Sequence, residues 1–187
     1  MKHLKVAVTG GIGSGKSYVC RLLAARGIDV YDCDAAAKRL MRTSAALQEQ
    51  LKALVGEDVY CDGQLVKSVM AKFILTSDEN QLAVNRIVHP AVADDFVKSG
   101  NLWMECAILF ESGFERLVDR VVCVTAPEEV RIRRIMLRDE ISRDRAMEWL
   151  ALQLPQEEVL ARSDYEIIND GERELTPQIE HIIKQVK

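Results

Sequence analysis

Thr9-Gly10-Gly11-Ile12-Gly13-Ser14-Gly15-Lys16-Ser17 directly follows the apolar run Leu4 to Val8 and fits the pattern GxxxxGK[ST], with Gly10 as its first glycine. A phosphate chain is held by backbone N–H groups at close range, and glycines permit the tight, partly left-handed path that turns successive amides inward. A helix beginning near Ser14 adds free N–H groups and a positive dipole end. Lys16 then reaches the β- and γ-phosphate oxygens, and the Ser17 hydroxyl can ligate magnesium. The alternative is a glycine-rich turn that merely links strand to helix. A strand before the loop and a helix after it favour the cradle, and both are legible. Val19, Leu22 and Leu23 recur at helical spacing, with Gly27 placed to close that helix.

Working outward, the 187 residues suffice for one domain with a substantial core and room for an inserted lobe. The net charge of -4 and pI near 5.5 argue against a nucleic-acid partner, because phosphate-backbone binding needs a broad basic surface. Cysteines 20, 33, 61, 106 and 123 are odd in number and form no CxxC pair. They read as mostly buried thiols of a reducing cytoplasm. No apolar run reaches bilayer-spanning length and no signal peptide is legible, so neither a membrane partner nor export is expected.

Short apolar runs alternate with amphipathic segments, the mark of a parallel α/β sheet. The expected strands are Leu4 to Thr9, Ile28 to Asp32, Leu102 to Leu109, Arg120 to Thr125 and Tyr165 to Asn169. The gap between the second and third exceeds one crossover helix and predicts an inserted helical lobe. Its expected helices are Ala45 to Leu54, Val66 to Ile74, and Glu79 to Val88, the last entered through Thr76-Ser77-Asp78, with a turn at Asp62-Gly63. A second excursion, Pro127 to Arg162, carries Arg131, Arg133, Arg134, Arg138, Arg143 and Arg145. The expected division is a core at about 1–34, 101–126 and 163–187, a lobe at about 35–100 and a lid at about 127–162.

Ligands of such sheets gather at the carboxyl ends of the strands. Asp32 and Asp34 leave the second strand, where they can serve magnesium or take a proton from an attacking hydroxyl; equally, Asp34 can cap a helix starting at Ala35. Glu111 leaves the third, either orienting a substrate or standing in solvent. The arginines are either a solvated helix face, with Arg138 paired to Asp139 or Glu140, or mobile cations that close on a triphosphate; Arg138 is the first choice among them. His89, before Pro90, is a structural histidine or a ligand contact. Trp103 and Phe114 are expected in the core.

Taken in order, these motifs resemble the dephospho-coenzyme A kinase family over essentially the whole chain. The loop Val8 to Ser17, Asp32-x-Asp34, Val88-His89-Pro90, Leu109-Phe110-Glu111, Arg134-x-x-x-Arg138-Asp139, Gln153, and Asp164 with Ile167-x-Asn169-x-Gly171 follow its pattern. The resemblance implies a three-layer P-loop NTPase fold of α/β class: a five-stranded parallel sheet, an inserted helical acceptor-binding lobe and a helical lid. It implies transfer of the γ-phosphoryl of ATP, with Mg2+, to the ribose 3'-hydroxyl of dephospho-coenzyme A, a small-molecule substrate. Asp34, Lys16 and Arg138 would be catalytic. Gly11, Ile12, Gly13, Ser14, Gly15, Lys16, Ser17, Tyr18, Arg138, Asn169 and Gly171 would hold the nucleotide, Ser17 and Asp32 the metal, and Asp34, His89 and Glu111 the acceptor.

The chain departs from that pattern at Tyr18, where threonine is common, at Ala107-Ile108 in place of Pro-Leu, and at Val159 in place of a lid cation; Lys38 and Arg39 share the place of one basic residue. Oligomeric state is encoded in none of these motifs. Two competing readings share the loop. Another small-molecule kinase would not require Asp32-x-Asp34 together with His89-Pro90, and a guanine-nucleotide switch would carry an NKxD motif, which is absent.

Overall fold

Val6, Ala7, Val8 and Thr9 are each at most 1% exposed, so this strand must lie inside a sheet covered on both faces. A computed structural model describes residues 3–186. In chain order its strands are β1 (Val6–Thr9), β2 (Val30–Asp32), β3 (Tyr60–Cys61), β4 (Gln64–Leu65), β5 (Trp103–Glu105), β6 (Arg120–Thr125) and β7 (Tyr165–Ile168). The helices are α1 (Lys16–Ala24), α2 (Cys33–Thr43), α3 (Ala45–Val55), α4 (Lys67–Ile74), α5 (Asp78–Ser99), α6 (Glu128–Asp139), α7 (Arg143–Ala151), α8 (Gln156–Ala161) and α9 (Leu175–Val186). The chain divides into two compact units, Met1–Tyr31 with Asn101–Lys187, and Asp32–Gly100.

The first unit is built on a five-stranded sheet in the order β2-β5-β1-β6-β7. β1 runs parallel to β5 and β6, and β6 parallel to β7. The fold is α/β with helices flanking a parallel sheet. Alternate residues Val6, Val8, Val122, Val124 and Ile167 turn to one face, where they meet Val19 and Leu23 of α1 and Ile179, Ile182 and Val186 of α9. Trp103 joins this cluster, and Phe114 is also buried, as expected of both. Each such side chain removed from water stabilises the fold by about 1.5–3 kcal/mol.

β5 ends at Glu105, well short of the expected Leu109. The reason is the loss of its partner: Cys106 N–H donates to Val8 O at 3.0 Å, after which β1 leaves the sheet at Gly10. Ala107 to Gly113 winds through turns instead, closed by Ser112 N–H to Ile108 O at 2.9 Å, and Leu109 is fully buried without being a strand residue. The excursion at 127–162 forms α6, α7 and α8. Ile132, Ile135 and Ala146 make a small core there, with Ile12, Met136, Ile141, Trp149 and Leu150 packed against it.

The second unit contains α2 to α5 and the β3–β4 hairpin. The turn at Asp62-Gly63 is present with both residues at positive φ, 49° and 73°, as a tight hairpin requires. Its strands are two residues each, too short for an alternating pattern to register in sequence. Asp32 rather than Asp34 caps α2, its Oδ1 accepting the Ala35 N–H at 2.9 Å; Asp34 sits in the first turn, where a carboxylate meets the positive helix end. The helix expected over Glu79 to Val88 runs instead from Asp78 to Ser99, through Pro90. A proline inside a helix removes a hydrogen bond and ordinarily breaks it. Here Val84, Val88, Val92 and Phe96 recur every fourth residue, all buried, on a helix that packs against α2, α3 and α4; that apolar stripe spans the proline and outweighs it.

Cys33, Cys106 and Cys123 are buried, Cys20 half-buried and Cys61 exposed, and none is in a disulfide. Among the described residues, no helix is long and apolar enough to cross a membrane.

Candidate active site

β1 delivers the chain into the loop, and two glycines shape it. Gly13 has φ 77°, and a Cβ there would lie 2.7 Å from the Arg131 carbonyl oxygen, a backbone atom that cannot swing aside. Gly15 has φ 91° and stands as the N-cap of α1, which starts at Lys16 rather than near Ser14. No side chain caps this helix. Consequently the amides of Gly13, Gly15, Lys16 and Ser17 donate to no acceptor among the described residues. Such a set at a helix N-terminus is an anion cradle. Gly13→Ala is expected to destabilise the protein by about 1–3 kcal/mol and to abolish stabilisation by ADP; thermal unfolding with and without the nucleotide checks both.

Other loop amides are already committed. Ser14 N–H donates to Gly11 O at 3.2 Å, and Tyr18 N–H to Gly15 O at 3.0 Å, so the Tyr18 amide opens the helix. Ile12 N–H donates to Gln153 Oε1 at 2.7 Å. Lys16 is 9% exposed, with Nζ donating to Gly11 O at 3.3 Å. Burial holds its pKa below the ordinary lysine value, and the Glu105 carboxylate opposes that fall.

Ser17 Oγ donates to Glu105 Oε1 at 3.3 Å, across from α1 to the end of β5. Glu105 escaped the sequence reading because it stands inside the apolar run Trp103 to Leu109. The available signal was a lone carboxylate on a strand otherwise destined for the interior. A hydroxyl and a carboxylate are the oxygen donors that a hard divalent cation takes. Among the described residues no cluster of three or more His, Cys, Asp or Glu could cage a metal. The pair therefore fits a cation that draws its remaining ligands from phosphate and water.

The arginines divide. Arg131 Nε donates to Ile12 O at 2.9 Å, and Arg134 Nη1 to Gly13 O and Ser14 O at 3.3 Å each. Arg138, the favoured cation, instead binds its neighbour Asp139, with Nη2 to Oδ2 at 2.7 Å, and is exposed. Asn169 Nδ2 donates to Ser14 O at 2.8 Å while its Oδ1 accepts from Arg134 Nη2 at 3.3 Å, so its side chain is engaged with the loop. Gly171 has φ 93° and open space around it. Glu111 is exposed in the turns after β5. Asp32, Asp34 and His89 belong to the second unit. There Asp34 is exposed, with Lys38 Nζ 3.4 Å from its Oδ2, and His89 is half-buried in α5, its pKa lowered by that burial.

A glycine-rich phosphate cradle between a central parallel strand and a helix, approached by arginines from a helical excursion, defines a P-loop kinase. Solved structures agree on the fold. A Thermus thermophilus protein superposes with a TM-score of 0.81 at 32% identity, covering 99% of this chain and 97% of that one. Dephospho-CoA kinase from Campylobacter jejuni gives 0.66 at 21%, covering 97% and 94%, and shikimate kinase from Acinetobacter baumannii 0.58 at 17%, covering 99% and 93%. Residues 4–174 match the family described as dephospho-CoA kinase. Dephospho-CoA kinase of Bacteroides fragilis is 40% identical over 187 residues, 96% of this chain and 91% of that protein. Its namesake in Porphyromonas gingivalis is 39% identical over 192 residues, covering 98% and 95%. The chain belongs to the dephospho-CoA kinase family.

Proposed function

We propose that this chain transfers the γ-phosphoryl group of ATP to the 3'-hydroxyl of the ribose of dephospho-coenzyme A, giving coenzyme A and ADP. The observation that carries phosphoryl transfer is the set of uncommitted amides at Gly13, Gly15, Lys16 and Ser17 around a buried lysine. The family match over residues 4–174 supports the acceptor.

Four N–H groups and the Lys16 ammonium hold the phosphate oxygens and stabilise charge as it spreads over the group in flight. Ser17 and Glu105 hold Mg2+, which when bound neutralises phosphate charge. Asp32, spent on capping α2, is the lesser candidate for that task. Asp34 orients the acceptor hydroxyl and receives its proton late, because a ribose hydroxyl is far weaker as an acid than a carboxylic acid and the transition state is loose. Arg138 leaves Asp139 to meet the triphosphate. Residues 35–100, His89 among them, bind the acceptor together with Glu111 of the core, and residues 127–162 serve as lid. Gly171 borders the adenine, with the Asn169 side chain holding the loop beside it. The acidic charge balance disfavours a nucleic-acid partner, and cysteines outside any disulfide suit a reducing cytoplasm.

Steady-state ADP release tests this reading. The rate should depend on dephospho-coenzyme A and on magnesium, and stay at background with AMP or shikimate. Faster ADP release with either of those acceptors would contradict it.

A further inference from the structure

Ile12 is held from the lid side by every group it possesses. Its N–H donates to Gln153 Oε1 at 2.7 Å and its carbonyl accepts from Arg131 Nε at 2.9 Å. Its side chain packs against the Ile132, Ile135 and Ala146 core of the helical excursion. Gly11 beside it lies flush against the Arg131 guanidinium, and a Cβ there would also stand 3.2 Å from Gln153 Oε1. Arg131 is only 7% exposed and has no carboxylate bound to it among the described residues, an uncommon place for a guanidinium.

The planarity of the peptide gives these contacts a consequence. The carbonyl of one residue and the N–H of the next share a plane and point in opposite directions. Fixing Ile12 C=O on Arg131 therefore aims the Gly13 N–H away from α6 and into the cradle. Fixing Ile12 N–H on Gln153 likewise aims the Gly11 carbonyl the other way, where it accepts from Lys16 Nζ at 3.3 Å and Ser14 N–H at 3.2 Å. Farther along, the grip of Arg134 and Asn169 on Ser14 C=O aims the Gly15 N–H. Outer hydrogen bonds set the direction of inner donors.

We propose that Arg131 and Gln153 are positioning residues for phosphoryl transfer: from the lid, they fix the two peptide planes flanking Ile12 and thereby aim the Gly13 amide and the Gly11 carbonyl that orients Lys16. Neither needs to touch the nucleotide. The proposal rests on the kinase reading above and adds residues that it does not require.

The test compares wild type, Gln153→Ala, Arg131→Lys and the double variant, reading kcat, the KM for each substrate and ADP affinity by calorimetry. Gln153→Ala should lower kcat by about 10-fold or more, since small misplacements of aligned groups are costly. Its KM for dephospho-coenzyme A should stay within about 2-fold of wild type, and ADP should bind about 5-fold more weakly, because the loss falls on phosphate binding. Arg131→Lys keeps the charge but loses the fixed Nε geometry, so kcat should fall there too. The double variant should lose less than the product of the single losses, because both residues act on one tripeptide. Should the buried Arg131 position not tolerate lysine, Gln153→Ala decides alone. Wild-type kcat and ADP affinity in a folded Gln153→Ala protein would overturn the proposal. If wild type phosphorylates no acceptor, the kinase reading fails, and the ADP affinity of Gln153→Ala still decides the clamp.

Discussion

Lys16→Ala is expected to lower the rate of phosphoryl transfer by about 10³-fold, at the upper end of what loss of one preorganised charge-stabilising donor costs. Lys16 is nearly buried, so its ammonium acts where water screens poorly. It already rests on Gly11 O inside the loop, and a phosphate needs only to draw it a short way. The substitution also leaves that carbonyl with Ser14 N–H as its remaining donor and removes the ammonium from the cradle. Both ATP affinity and turnover should fall. Single-turnover ADP formation at saturating ATP separates the two, and activity within about 10-fold of wild type would mean that the loop does not hold the transferred group.

Asp34→Asn should produce a different signature: a turnover loss of about 10²–10⁴-fold, the range for removing a general base, with ADP affinity nearly unchanged. Asp34 is exposed in the first turn of α2, it pairs with the exposed Lys38, and asparagine is isosteric, so the fold should be little affected. Asp32 offers the contrast. Its carboxylate caps α2, and Asp32→Ala should cost about 1 kcal/mol of stability whatever it does to the rate. Steady-state kinetics beside chemical denaturation on both variants checks the distinction. Wild-type turnover in Asp34→Asn would remove that residue from the chemistry.

How much of this was legible in sequence depended on how local the cause was. β6 has the expected bounds, Arg120 to Thr125, because a buried central strand flanked by charge announces itself. The loop was legible for the same reason: its glycines answer to its own backbone. β5 is shorter than its sequence suggests because its end is set by β1 turning away at Gly10, a neighbour's geometry rather than its own composition. The helix expected to end at Val88 continues through Pro90 to Ser99, because the packing of Val84, Val88, Val92 and Phe96 outweighs the local cost of the proline. Within the site, the sequence favours Arg138, while the arginines that reach the loop are Arg131 and Arg134. Those contacts join residues 119 to 121 positions apart, and the Gln153 contact spans 141. No spacing rule reaches that far. Glu105 was hidden by hydrophobic neighbours, although a carboxylate in a strand between two buried partners was itself a sign of something to bind.

Product analysis after incubation with Mg-ATP and dephospho-coenzyme A tests the central claim most directly. Mass spectrometry should find one added phosphate on the acceptor with equimolar ADP, and phosphorus NMR should place it on the ribose 3'-oxygen. An unmodified acceptor, or phosphate at any other position, would contradict the account.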